Sequence, residues 1–303
     1  MALFEEKPGR VFRDAACLQP LSPPPGGVPI CRENDLKFMA NYLAEVFRTG
    51  QGRNLFIYGK PGTGKTVCAQ YLLKEIQRHA DDKGLAISTV YVNAGKTRTP
   101  YYTMVEIVEG LGLRVPEAGW QMFRLKQAFE NMLAAKAVVI AIDEVDIIFR
   151  KEKEPLVYYL NRQPKTTLIL ISNKIEDAAR IPERALSTLQ PKLVSLNPYT
   201  PKEAKEILKD RASHAFQPDA LPDKLLEKVA KLTAEAGDIR LGLSTLLSAG
   251  IRAERAGRTK ITIEDIQSAF KSEKTTEILK AIGILKKHIQ KRKRKKKWGS
   301  LGF

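Results

Sequence analysis

The sequence predicts a mostly parallel α/β sheet domain followed by a small all-helical domain, and three observations carry that expectation. Residues Gly59 to Thr66 read Gly-Lys-Pro-Gly-Thr-Gly-Lys-Thr, between the apolar run Leu55-Phe56-Ile57-Tyr58 and a helix-periodic stretch from Val67 to His79. Apolar runs and helical segments then alternate as far as Leu196, the pattern of a three-layer sheet with helices on both faces. Beyond Pro198 the strand signals stop and only helical periodicity continues.

Taken in order, residues 1–28 are Pro-rich, with Pro20, Pro23, Pro24 and Pro25 before Gly26-Gly27, and read as an extended lead-in. A helix is expected from Asn34 or Asp35, burying Leu36, Met39, Leu43 and Phe47, with Gly50 and Gly52 ending it. After the Gly-rich loop and its helix come a strand at Ile87–Val92 and helices at Pro100–Gly110 and Glu117–Ala135. A third strand follows at Ala137–Ile142, a short helix at Leu156–Asn161, a fourth strand at Leu168–Ser172 and a short fifth at Lys192–Leu196. The helical domain is read as Pro201–Ala215, Pro222–Glu235, Arg240–Ala256 and Thr262–Phe270. Gly237-Asp238 makes a cap between two of these helices, and Thr262 caps the last with Asp265 three residues on. The expected divisions are therefore 1–28, 29–196, 197–270 and a tail at 271–303.

A chain of 303 residues with 43% hydrophobic content has room for two ordinary soluble domains. Its longest apolar run, Ala137 to Ile142, suits a buried strand and falls far short of the roughly 18 residues a membrane span needs. The N-terminus carries Glu5, Glu6 and Lys7 with no apolar core, so no secretory signal is expected. Cys17, Cys31 and Cys68 are isolated thiols without C-x-x-C spacing, which fits a reducing interior and speaks against zinc. The formal charge is +17, and residues 271–303 alone hold 12 basic and 2 acidic side chains. The block from Lys286 to Lys297 repels itself and is expected to stay disordered unless a polyanion binds it. Nucleic-acid contact and a solubilising or nuclear-targeting role both remain open for it.

The Gly-rich loop is the strongest chemical signal. Strand, loop and helix N-terminus together aim backbone N–H groups and the helix dipole at an anion, and Gly59, Gly62 and Gly64 leave room for close approach. Lys65 would sit on the β- and γ-phosphates of a nucleoside triphosphate, and the Thr66 hydroxyl on Mg²⁺. The third strand ends in Asp143-Glu144, where Asp143 can hold the Mg²⁺ shell and Glu144 can polarise an attacking water. Asn173 stands at the tip of the fourth strand, placed to orient that water or touch the γ-phosphate. Arg184 and Arg240 are candidate guanidinium donors to the charge that develops in phosphoryl transfer.

This order of motifs resembles an AAA+ ATPase, a P-loop NTPase with a helical lid, and is closer still to archaeal origin-recognition and cell-division-control-type replication initiators. The resemblance covers roughly residues 28–270. It rests on Pro29-Ile30-Cys31-Arg32-Glu33, the full Gly59–Thr66 loop, Tyr91-Val92-Asn93, Thr99-Pro100-Tyr101 and Tyr158-Tyr159-Leu160-Asn161-Arg162. Ile171-Ser172-Asn173-Lys174, Asn197-Pro198-Tyr199 and Gly237-Asp238-Ile239-Arg240 extend it into the lid. The resemblance implies that Pro29, Ile30 and Arg32 lie beside the adenine, and that Tyr199 and Ile207 pack near it. It implies phosphate contacts from Gly59, Lys60, Pro61, Gly62, Thr63, Gly64, Lys65, Thr66 and Val67. Asn173 then resembles the first sensor, Arg240 the second, closing the lid on the γ-phosphate, and Arg184 the finger that reaches a neighbouring subunit. Thr99 to Trp120 is similar to the initiator-specific helical insertion, which in the family touches duplex DNA. Cys31 stands where Gly or His is more usual, and Tyr102 where an Arg is frequent.

The expected activity is ATP binding and slow hydrolysis by a DNA-binding switch of replication initiation, in origin recognition or helicase loading. ATP/ADP and Mg²⁺ are the implied cofactors. Double-stranded DNA is the implied partner, through 99–120 and the basic tail, with other AAA+ subunits or a replicative helicase beside it and no membrane. The expected location is cytoplasmic, on the nucleoid of an archaeon, or nuclear in a eukaryote. A regulatory or adaptor ATPase, and a clamp-loader-like or transposition-associated subunit, stay open as alternatives. The family normally carries a winged-helix domain after the lid; past Phe270 only a helix-like piece, Glu277 to Ile289, and the tail are read, which fits either a shortened paralogue or a chain cut before that domain.

Overall fold

Five strands, all parallel to their neighbours, form one sheet in the order β2-β3-β4-β1-β5 in the computed structural model of the chain. The structure describes residues 10–116, 119–149, 156–181 and 183–274; the segment Glu277 to Ile289 and the basic tail lie outside them. The strands are β1 (Leu55–Tyr58), β2 (Ile87–Asn93), β3 (Ala137–Asp143), β4 (Thr166–Ser172) and β5 (Lys192–Ser195). All five belong to a first unit spanning Gly26–Tyr199. Parallel strands must be joined by crossovers, so helices cover both faces, and β3 and β4 are buried at every position.

Alternate residues along each strand feed two separate cores. Leu55 and Ile57 of β1 join Val139, Ala141, Ile169 and Ile171 against Leu36, Met39, Leu72 and Ile76. Phe56 joins Val138, Ile140, Ile142, Leu168 and Leu170 on the other face, against Met104, Ile107, Leu125 and Phe129. The predicted strands are thus all present, with β2 and β3 each reaching one residue further, to Asn93 and Asp143.

Several helix boundaries differ from the sequence reading. The first helix starts at Glu33, not at Asn34 or Asp35, and Arg32 holds the cap position without a side-chain cap bond, since a guanidinium has no acceptor for the first-turn N–H groups. That helix ends at Leu43, and Phe47 belongs to a separate turn, Val46–Thr49, closed by Gly50 at φ 76°. The helix expected from Glu117 begins at Met122, because Gly119 turns the chain at φ 74° and Gln121 is still extended. No described helix is long and apolar enough to cross a membrane.

The second unit contains Pro201–Ala215, Asp223–Ala236, Ile239–Arg255 and a helical run over 263–274. Thr200 and Glu203 close a reciprocal capping box on the first of these helices, and Gly237 in the left-handed conformation ends the second. Thr262 bonds with Asp265 at the start of the last.

Part of the expected lead-in is folded here as well: residues 10–25 cluster with the helices after Thr200. Val11 and Leu18 are fully buried, and Phe12 stacks on Phe216 at 5.1 Å between ring centroids. Phe12 also lies over Gly250, mid-helix, where a methyl group would overlap its ring. Arg211 completes the attachment, donating to the carbonyls of Cys17 (3.1 Å), Ser22 (2.9 Å) and Pro23 (2.8 Å). Burial pushes its pKa down from the ordinary arginine value. Removing the guanidinium would break three bonds to part-buried carbonyls, each worth about 0.5–1.5 kcal/mol, while emptying a buried position. Arg211→Met should therefore lower the melting temperature by several degrees and open residues 10–25 to proteolysis; an unchanged melt with an intact N-terminal segment would show that the bonds are dispensable.

Candidate nucleotide site

The site is built where β1, β3 and β4 end, since parallel strands deliver all their C-terminal ends to one edge of the sheet. β1 lies between β4 and β5, and Tyr58, its last residue, is in register with Ser172 on one side and Ser195 on the other. The chain then turns through Gly59–Gly64 into the helix Lys65–Asp82. Gly59 at φ 154° and Gly64 at φ 88° serve as close-packed backbone. A methyl group on Gly59 would overlap the Leu196 carbonyl, and one on Gly64 would lie 2.5 Å from the Tyr199 hydroxyl.

Lys65, buried to 7% exposure, reaches back to the carbonyls of Gly59 (2.7 Å) and Lys60 (2.9 Å). Thr63 closes the turn by donating to the Lys60 carbonyl at 2.9 Å. The Thr66 hydroxyl donates to Asp143 Oδ2 at 2.5 Å, which joins the first turn of the loop helix to the tip of β3. Tyr91, on β2, donates to the same oxygen at 3.0 Å. Burial, with Asp143 adding to it, raises the Tyr91 pKa well above the ordinary phenol value, so this hydroxyl stays a donor. Glu144 follows at φ 51°, its N–H bonded to Asp143 Oδ1 at 2.8 Å. Its carboxylate lies against Gly95, just past the end of β2, where a methyl group would stand 2.8 Å from the carboxylate carbon.

Lys65, Thr66, Asp143 and Glu144 are thus brought to one edge. Asn173 follows the last residue of β4 and is exposed, while its neighbour Ser172 donates to Asp177 at 2.6 Å. Lys60 and Pro61 form the exposed outer turn of the loop, and Val67 is half-buried in the helix. Pro29 is buried and Ile30 half-buried in the segment leading to Arg32. Arg32 donates to the carbonyls of Thr63 (3.0 Å) and Asn197 (2.5 Å), pairs with Asp35, and lies 4.2 Å from the Tyr199 ring centroid.

Arg184 lies in the helix Glu183–Leu189 that leads to β5, and its side chain is outside the described residues. Arg240 and Ile207 belong to the second unit. Ile207 is half-buried in the helix Pro201–Ala215, and Arg240 pairs with Asp238, the cap of its own helix.

The residues fit a nucleoside triphosphate with Mg²⁺ on two observations. The loop is a backbone cradle that admits no side chain at Gly59 or Gly64. A hydroxyl and a carboxylate, the oxygen ligands Mg²⁺ prefers, already meet at Thr66 and Asp143. Two contributors carried no assigned role in the sequence: the Tyr91 hydroxyl and the Leu196 carbonyl. Tyr91 shares a face of β2 with Asn93, which is in register with Asp143, but that signal needs the knowledge that β2 and β3 are neighbours.

Residues 28–172 match the AAA ATPase domain, and residues 205–271 the Cdc6 AAA+ ATPase-type lid domain. The ORC1-type DNA replication protein 1 of Sulfolobus acidocaldarius is 31% identical over 272 residues, covering 87% of this chain and 67% of that one. The ORC1-type DNA replication protein of Pyrococcus horikoshii is 30% identical over 305 residues, covering 94% and 72%. The Aeropyrum pernix ORC1 protein, solved in complex with DNA, superposes with a TM-score of 0.79 at 29% identity, over 89% of this chain and 71% of that one. The chain spans about two thirds of the length of the relatives it matches.

Tyr199 gives the site a pH signature. Burial pushes its phenol up to about 12, with Arg32 pulling the other way. The folded state therefore holds this proton more tightly than the unfolded chain, whose phenol ionises near 10. The stabilisation is complete below pH 10 and is lost between pH 10 and 12. Tyr199→Phe should flatten that loss by on the order of 2 kcal/mol in denaturant titrations across the window. Parallel pH profiles for the two proteins would contradict it.

Proposed function

The chain belongs to the AAA+ ATPase family of ORC1-type DNA replication proteins, and from that premise we propose that it is an ATP-dependent DNA-binding switch of replication initiation. The observation that carries the nucleotide half is the bond between the Thr66 hydroxyl and Asp143, made beside Lys65 at the mouth of the loop. In this reading Lys65 takes the β- and γ-phosphates, and Thr66 and Asp143 hold Mg²⁺, which would neutralise charge on the phosphates. Glu144 orients and polarises the attacking water, with Asn173 beside it. Arg184 completes the site of a neighbouring subunit and Arg240 closes on the γ-phosphate, while Tyr199 and Ile207 flank the adenine. Turnover is slow, as a switch requires, because the arginine worth roughly 10³–10⁵ in rate comes from outside the chain.

Duplex DNA is the proposed partner of the second half, through residues 99–120 and the tail. Within that segment Tyr102 is exposed, and Trp120 at its end lies 4.7 Å beneath the Arg124 guanidinium, a cationic and aromatic pairing suited to a nucleic-acid backbone. Tyr101 ties the segment together by donating to the Trp120 carbonyl at 2.7 Å. Origin recognition and helicase loading are the two processes such a switch would serve.

Lys65→Ala should abolish binding of a fluorescent ATP analogue, whereas Glu144→Gln should bind ATP normally and lose at least a hundred-fold in turnover. Full turnover in Glu144→Gln would remove Glu144 as the base. Duplex DNA should bind several-fold more tightly to the ATP form than to the ADP form, with an affinity that falls steeply with salt. Equal affinity with ATP, ADP and no nucleotide would dispose of the switch.

A further inference from the structure

The Gly-rich loop is held from behind by the strip that leaves β5, residues 196–199. The Leu196 N–H donates to the Tyr58 carbonyl at 2.8 Å, and the Leu196 carbonyl packs on Gly59. At the other end of the loop the Tyr199 hydroxyl rests on Gly64. Arg32 spans the two. A single nitrogen, Nη2, donates both to Thr63 O in the loop and to Asn197 O in the strip. Nη1 is anchored by Asp35 at 3.2 Å, and the guanidinium plane covers the Tyr199 ring. Nε is the one buried side-chain nitrogen or oxygen among the described residues with no hydrogen-bond partner, and it sits 3.9 Å from the methyl position on Gly64.

The grip on Thr63 has a consequence for the loop. The Thr63 carbonyl and the Gly64 N–H belong to one peptide plane, and in a trans peptide they point in opposite directions. Fixing the carbonyl therefore fixes the N–H that turns towards a phosphate. Any tilt of that plane when phosphate arrives is passed through Nη2 to Asn197, three residues before Thr200, where the chain enters the second unit.

We infer that Arg32 is a positioning residue that couples the phosphate loop to the 196–199 strip, so that filling the loop is felt at the start of the second unit. The inference rests on the nucleotide reading above. It also explains the residue type. A guanidinium can hold two carbonyls, a carboxylate and a ring face together, whereas an ammonium offers no plane to stack and no fork to share.

Hydrogen exchange on the full chain, with and without saturating ATP and ADP, tests it. In the native chain, nucleotide should slow exchange several-fold both in the loop amides, 60–66, and in 196–202. In Arg32→Lys, nucleotide affinity should fall about ten-fold; at saturation the loop should still be protected while the response at 196–202 disappears. Tyr199→Leu, which keeps Arg32 but removes its stacking partner, should blunt the same response. An equal response at 196–202 in native chain and Arg32→Lys would overturn the coupling, as would loop protection in the native chain with no response at 196–202. Absence of protection even in the loop of the native chain would instead remove the nucleotide reading, and the inference with it.

Discussion

The site depends on one hydrogen bond, from the Thr66 hydroxyl to Asp143, because it joins two elements that the sheet keeps apart. β1 and β3 are not neighbours: β4 lies between them. Thr66 can meet Asp143 only if the loop after β1 rises over the end of β4 and the helix starts at Lys65, so that Thr66 falls in its first turn. Moving the helix start by one residue would rotate Thr66 by about 100° and send its hydroxyl elsewhere. The bond thus fixes the loop length, the helix phase and the strand order at once. The Tyr91 hydroxyl, arriving at the same carboxylate oxygen from β2, fixes Asp143 from the opposite side.

Behind this bond, the loop's own carbonyls are engaged by cations. Lys65 takes Gly59 and Lys60, and Arg32 takes Thr63. Each carbonyl held in this way leaves the N–H of the next residue directed the other way, which is how a short loop of glycines can present several donors without collapsing onto itself. The glycines alone would give freedom but not direction. Direction comes from two buried cations whose charge is balanced locally by carbonyl dipoles, Asp35 and the Tyr199 ring. For Arg32, burial works against the charge, and Tyr199 and Asp35 outweigh it, leaving the pKa above the ordinary arginine value.

The sequence displayed most of this frame because its signals are local. A Gly-rich loop between a four-residue apolar run and a helix, or an apolar run ending in Asp143-Glu144, can be read without knowing what lies next to it. Helices with strong punctuation were legible to the residue, as at Pro100–Gly110, where Thr99 caps by accepting from Tyr102 N. One misplaced boundary traces to a glycine turn that serves a distant partner. The helix near Glu117 starts late because the turn at Gly119 places the Trp120 carbonyl for Tyr101. Tyr91 and Leu196 went without a role because strand adjacency, not sequence, sets their neighbours.

Long-range recruitment also divides the chain in a way composition conceals. Residues 10–25 look like a proline-rich leader, yet their apolar side chains and carbonyls are taken up by helices some two hundred positions later, through Phe216, Gly250 and Arg211. The first unit is therefore inserted within the second, and the chain passes between them twice, at Pro25–Gly26 and at Tyr199–Thr200. The residues flanking both passages, Arg32 and the Asn197–Tyr199 strip, are the ones that grip the phosphate loop. The coupling proposed for Arg32 rests on that double grip.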